Sequence, residues 1–354
     1  MRTASASLLE DRTPLPYANG WFALCAAEEL KLEAVLTVPF MGKEVVLYRT
    51  RSGEACACNP YCPHLGAHLG YGGRVEGDKF ICPFHGFAFG KDGACVYACE
   101  GHRPPRIALK QLPICETNGL VCAWYHDRCE APEWSLPVLD LNDFVRSSYG
   151  KIDMQGYTQD IAENVVDNIH FKLVHGLDAG TMIKPPVVDG PRLRGGLNRY
   201  MNQDVSIHTT MHGLGMLTAE FELPKFGIKI RLILTQTQID RFACRVRYAI
   251  AVRMAKPSIL PESLRSGIGR LMAELANRTY NRRVIGQDRI IFSHRSFRLH
   301  PGLCAIDAPF SVFRRWSAQF YPDGTFENAA EEGESKEATL ESGRRLTVNR
   351  RNQG

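Results

Sequence analysis

No stretch of the 354 residues stays apolar over the about 18 positions that a membrane-crossing helix needs, so the chain reads as soluble. There is no G-x-G-x-x-G turn joining a strand to a helix, so any nicotinamide or flavin nucleotide must be handled by another polypeptide. There is no internal repeat. The opening residues, MRTASASLLEDRTPLPYANGW, lack the apolar core of a secretory signal, and their acidic pair argues against a transit peptide. Charge of one sign is in small excess. The formal net charge is +5, with basic residues scattered among acidic ones, which gives no case for nucleic acid and allows an acidic electron-transfer partner. Cysteine is not scarce, but twelve thiols in a chain this long are no disulfide framework; free thiolates favour a reducing compartment, and with no leader or apolar span the chain reads as cytoplasmic. With 44% hydrophobic residues, the length suits about two domains of ~150 residues.

The stretch from Cys62 to His85 organises the chain. It reads Cys62-Pro63-His64, seventeen further residues, then Cys82-Pro83-Phe84-His85. Pairs of the form C-x-H and C-x-x-H suit a two-iron, two-sulfide cluster in which thiolates hold one iron and imidazoles the other. Neutral imidazoles in place of two thiolates raise the potential, making a one-electron relay. Gly66 and Gly86 follow each pair, where backbone N–H groups are expected to approach the sulfurs. Cys56, Cys58, Cys95 and Cys99 flank the motif, so a structural zinc site is the competing reading, although zinc fingers usually place C-x-x-C before H-x-x-x-H.

From Trp21 to about Ala57, LTVPF, EVVLYRT and EACACN alternate between turns and read as antiparallel strands, and VCAWYH at 121 to 126 reads as the closing strand of a small all-β unit. Pro132 and Pro137 mark a junction. From about 190 to 255, SIHTTMHG, LTAEFEL, IKIRLILTQTQI and FACRVRYAIAVRM predict one large antiparallel sheet. His208 and His212 read as pocket-lining or surface residues. Pro261 to His294 is the longest helical pattern, with Leu264, Ile268, Leu271, Leu275 and Ile285 recurring near the helical period. Residues 327–354 lose apolar periodicity and read as a mobile tail.

A second motif is ENVVDNIHFKLVH, residues 163–175. Asp167 and His170 are three apart and share a helical face, with Asn164 a turn further back. His175, five beyond His170, reaches the same metal only if the helix ends or bends between them, and Gly176 is consistent with a terminus there. Two histidines and one carboxylate form the facial triad of non-haem ferrous oxygenases. The best third ligand is Asp288 in GQDRIIF; the other reading of Asp288 is a surface carboxylate paired with Arg289 or Arg283.

The segments PYANGWF, CPHLGAHLG, GGRVEGDKFICPFHGF, NVVDNIHFKLVHG, GQDRIIF and FRRWSAQFY, spanning about Tyr17 to Tyr321, resemble the α-subunits of Rieske non-haem iron oxygenases. More narrowly they are similar to the group holding 3-ketosteroid 9α-hydroxylase oxygenases and Neverland-type cholesterol 7-desaturases. The resemblance implies an α+β chain: an all-β Rieske domain over 20–128 and a helix-grip, START-like catalytic domain with a large antiparallel sheet over 129–326. It makes Cys62, His64, Cys82 and His85 ligands of a [2Fe-2S] cluster, and His170, His175 and Asp288 ligands of mononuclear Fe(II). Asp167, with Asn164 beside it, becomes the catalytic position, bridging His170 to His85 of a neighbouring copy in a head-to-tail homotrimer. It further implies that NAD(P)H electrons arrive through a separate flavin reductase, with or without a ferredoxin, and that O2 is used to hydroxylate, desaturate or demethylate a steroid, sterol or comparably large apolar ring substrate. An aromatic or natural-product ring is the alternative substrate. An electron-transfer or lipid-binding protein without mononuclear iron is the alternative of another class, and it would not need the 163–175 motif together with Asp288.

Overall fold

The computed structural model describes residues 15–176, 186–200, 203–254, 261–299, 301–323 and 325; the tail expected over 327–354 lies outside them. Four antiparallel sheets organise the described residues. Three small ones come from the first third of the chain. Gly20–Ala26, Leu120–Tyr125 and Ile114–Thr117 form one; Val35–Phe40, Lys43–Arg49 and Ala55–Cys58 a second; Arg74–Glu76, Lys79–Ile81, Ala88–Phe89 and Cys95–Tyr97 a third. The alternating segments expected as strands are found as strands, with VCAWYH falling on Leu120–Tyr125. The cluster motif occupies the two loops on either side of Arg74–Glu76 and Lys79–Ile81.

The eight-stranded sheet runs, in spatial order, Val145–Arg146, Ala243–Met254, Ile228–Asp240, Met216–Leu223, Gln203–His212, Arg192–Tyr200 and Val187–Asp189, with Gly150–Gln155 also paired to Ala243–Met254. Its long central strands alternate, so one face takes Leu232, Leu234, Val246, Tyr248 and Ile250 into an apolar layer. Among the described residues, five α-helices complete the fold: α1 (Thr158–Glu163), α2 (Asn168–His175), α3 (Glu262–Tyr280), α4 (Gly286–His294) and α5 (Ala308–Ser317).

The first strand lies directly on the large sheet. Thr237 Oγ1 donates to the Ala23 carbonyl (2.8 Å), Met41 N–H to that of Gln238 (2.9 Å), and Arg247 pairs with Glu29 at 2.6 Å. Gly215 permits this approach, because a Cβ there would meet the Trp21 carbonyl oxygen at 2.0 Å. Phe313, Trp316 and Phe320 seal the junction, sharing one core with Phe22, Leu24 and Phe40.

The long helical pattern is found as a helix, but most of its periodic leucines face solvent. α3 turns Gly269, Ala273 and Asn277 toward the sheet, while Leu264, Leu271 and Leu275 are 50%, 70% and 63% exposed. Small residues win the buried face because the helix lies close against its neighbours; Gly269 would bring a Cβ to 3.6 Å from Val145. Nor is the helix uniform: Asn281–Ile285 form a π-turn between α3 and α4. A π-turn holds more residues per turn and sets the following phase back by roughly 90° over five residues. That reset carries Ile285, Asp288 and Phe292, all buried, onto the face already used by Ala273.

Candidate metal centres

The two cluster loops are built alike. Cys62 N–H donates to Ala67 O (2.9 Å) and Gly66 N–H returns to Cys62 O (3.0 Å); in the second loop Cys82 N–H donates to Phe87 O (2.8 Å) and Gly86 N–H to Cys82 O (3.1 Å). Gly66 and Gly86 adopt φ of +74° and +70° with open space around them, so left-handed backbone, not close packing, requires glycine. The amides facing the Cys62 sulfur are those of His64 and Leu65 instead of the glycines. Cys62 and Cys82 are buried and their sulfurs are hydrogen-bond neighbours; burial is the main force pushing the Cys62 thiol up to about 11. A cation would be needed to hold such thiols as thiolates. His64 and His85 stand at the exposed loop tips, ring centroids 5.0 Å apart, with His64 stacked on Phe87 at 4.3 Å.

These four side chains do not close on one point. Among the described residues only His170, His175 and Asp288 bring three metal-binding atoms within 4.8 Å of one another. Four ligands of a single zinc would sit closer than that, since each lies only ~2.0–2.3 Å from the ion. A buried thiol pair set apart from an exposed imidazole pair fits a two-iron cluster and argues against the zinc reading. The flanking thiols lie elsewhere: Cys56 and Cys58 are buried in their strand, Cys95 Sγ donates to Tyr97 O (3.4 Å), and Cys99 is exposed.

The second centre joins α2 to α4. Asp167 caps α2, its Oδ1 accepting from the amides of Ile169 (3.2 Å) and His170 (3.0 Å). Its backbone carbonyl accepts from His170 Nδ1 at 2.8 Å, while Oδ2 lies 3.7 Å from the same nitrogen. The bond expected from His170 to the carboxylate goes to the carbonyl, because capping occupies Oδ1. Asn164 supplies the carbonyl that accepts the Asp167 amide (3.2 Å).

α2 stays regular from His170 to His175 and ends just beyond, with Gly176 at φ 64°. The break expected between the histidines is therefore absent, and their side chains alone converge, ring centroids 5.0 Å apart at 77°. Asp288 Oδ1 lies 3.8 Å from His170 Nε2 and 3.2 Å from His175 Nε2. The second contact is close but misaligned, for His175 Nε2 is buried without a hydrogen-bond partner. Burial pushes the Asp288 carboxyl up, against the pull of His175 and His170. An orphaned ring nitrogen, a second imidazole and a carboxylate short of charge form a donor set that a divalent cation would satisfy. Asp288 pairs with neither Arg289 nor Arg283.

One contributor escaped the sequence reading. The Gln287 amide lies 2.9 Å from His175 Nδ1. Turned over, its NH2 would donate to that nitrogen and to the carbonyls of Val174 and Arg283, which suits His175 with its proton on Nε2. Coordination through Nε2 requires the opposite tautomer, with Nδ1–H donating to the Gln287 oxygen. The signal available in sequence was only adjacency to Asp288. His208 is exposed and bonded to Ser206 (2.9 Å); His212 is buried beside Thr218, and desolvation lowers it to about 4. Neither joins the centre.

Residues 20–113 match the Rieske [2Fe-2S] domain family, and residues 123–321 match the 3-ketosteroid 9alpha-hydroxylase C-terminal domain family. Cholesterol 7-desaturase nvd of Bombyx mori is 26% identical over 340 residues, covering 91% of this chain and 73% of that protein. The probable 3-ketosteroid-9-alpha-monooxygenase oxygenase component of Rhodococcus rhodochrous is 25% identical over 335 residues, covering 88% and 81%. Among solved structures, dicamba monooxygenase bound to dicamba superposes with a TM-score of 0.68 at 16% identity over 90% of this chain and all of that one, a likeness of fold.

Proposed function

The chain belongs to the Rieske oxygenases with a 3-ketosteroid 9α-hydroxylase C-terminal domain, and from that premise we propose a terminal oxygenase that oxidises a C–H bond of a steroid, sterol or comparable large apolar ring. The observation that carries this reading is the convergence of His170, His175 and Asp288 around an orphaned His175 Nε2, in a chain that also bears the paired cluster loops. We assign Cys62, His64, Cys82 and His85 to the cluster and His170, His175 and Asp288 to the iron. When bound, the cluster supplies electrons singly and the ferrous iron supplies a place for dioxygen beside the substrate.

The protein's own work is positioning. Asp167 O holds the Nδ1 proton of His170 and thereby aims Nε2 at the centre; Gln287, with its side-chain oxygen facing His175 Nδ1, would do the same for His175 once Nε2 binds a metal. Partly buried Phe221, Ile230, Met254 and Ala276 pack against the apolar layer between the sheet and α3. Sterol chemistry is supported by the names of the Bombyx and Rhodococcus relatives. The division at about residue 128, with a cluster domain over 20–128 and a catalytic domain over 129–326, belongs to the same proposal.

Electrons would come from a separate NAD(P)H-dependent flavin reductase, directly or through a ferredoxin, and pass between copies of a head-to-tail homotrimer. Support for this comes from the surfaces: Leu65, Tyr71 and Phe84 are exposed around His64 and His85, and Ile169 and Leu173 are exposed on α2 beside the unused Oδ2 of Asp167. No helix among the described residues is long and apolar enough to cross a membrane. A reducing, cytoplasmic setting is supported by twelve cysteines, none of which forms a disulfide.

The direct test is turnover of a sterol and steroid panel with a reductase, NADH and isotopically labelled dioxygen. A labelled alcohol, aldehyde or acid establishes oxygenation, and loss of two hydrogens without label establishes desaturation. Turnover of aromatic or natural-product rings alone would overturn the sterol assignment. A second expectation concerns Gln287. Gln287→Ala should weaken ferrous iron retention by about 10–100-fold in chelator competition while leaving the cluster spectrum unchanged. Gln287→Glu, which still accepts from Nδ1–H, should retain iron; equal loss in both variants would remove the tautomer role.

A further inference from the structure

We propose that the outward face of α3 rests on an anionic membrane surface. Leu264, Leu271 and Leu275 are exposed by half or more, and spacings of seven and four place them on one stripe about 16 Å long. The opposite face is already taken by the sheet, so this stripe has no partner within the described chain. Arg270, Arg278, Arg282 and Arg283 are exposed along the same helical segment, and none has a carboxylate at ion-pair distance among the described residues. Its acidic residues offer little compensation: Glu274 accepts from the Ser148 amide (2.8 Å), Asp288 is buried, and only Glu262 remains at the first turn.

Leucines in a line beside uncompensated guanidinium groups match acyl chains beside lipid phosphates. A protein partner fits less well, because the stripe carries no Trp or Tyr anchor of the kind that dominates protein interfaces. Leu275 precedes Asp288 by thirteen residues, or about 20 Å along the helix, so the leucine stripe is separate from the surface proposed to meet a neighbouring copy, and the arginines continue it toward the metal centre. The inference is independent of the substrate assignment.

The test is co-sedimentation of the full-length holoprotein with phosphatidylcholine vesicles with and without phosphatidylglycerol, at low and high salt. The protein should bind mixed vesicles in a salt-sensitive way. L264S/L271S/L275S should weaken that binding about tenfold, and R278E/R282E should abolish the preference for phosphatidylglycerol. Melting temperature and iron content report whether each variant is folded, and if the leucine variant unfolds the arginine variant decides. Failure of the unaltered protein to bind mixed vesicles overturns the proposal, as does undiminished binding by folded variants. A lower oligomer mass for the leucine variant by light scattering would also overturn it, identifying the face as a contact between copies.

Discussion

Asp288→Ala is expected to abolish turnover, with a fall of at least about a thousandfold, while the cluster's visible absorbance stays intact. The carboxylate is buried, lies within 4 Å of both imidazoles, and is the only anionic donor in the group. Its removal leaves two neutral rings, too little charge and too few donors to retain a ferrous ion against a weak chelator. Iron content should drop from about three to about two per chain, with labile sulfide unchanged. An active variant with full iron would place the metal elsewhere. Because Asp288 must ionise and both imidazoles must lose protons from Nε2, iron retention should also weaken as pH falls.

Asp167→Asn should keep both metals yet slow single-turnover electron transfer by about 10–100-fold. The substitution is selective for a physical reason. Asparagine caps a helix as well as aspartate, so the bonds to the Ile169 and His170 amides survive, and the backbone carbonyl still holds His170 Nδ1. What changes is the unused Oδ2, which loses its charge and acceptor capacity at the surface proposed to meet His85 of the neighbouring copy. Rapid mixing of reduced protein with substrate and dioxygen reads the rate. An unchanged rate with unchanged metal content would remove the bridge from the account.

Much of this was legible in residue order because local chemistry leaves local marks. C-x-H and C-x-x-H, each followed by a glycine at positive φ, specify two matching loops, and period-two alternation located the long strands of the large sheet. Where the reading went astray, the deciding interaction was remote. Leu264, Leu271 and Leu275 keep perfect helical spacing, but Gly269 and Ala273 allow a closer approach to the sheet, and periodicity does not say which of two faces will be buried. The phase reset at Asn281–Ile285 is likewise invisible in composition, although it decides where Asp288 points. His170 and His175 were expected to need a helix break; their imidazole arms span the turn without one. Gln287 matters only because α4 passes beside α2, a contact between residues 112 apart.

Two metal centres in one chain are tested most directly by measuring iron and acid-labile sulfide per chain on protein purified and reconstituted without oxygen. About three irons and two sulfides are predicted, with the third iron lost from Asp288→Ala and not from Asp167→Asn. Two irons in every sample, or zinc without sulfide, would contradict the two-centre assignment.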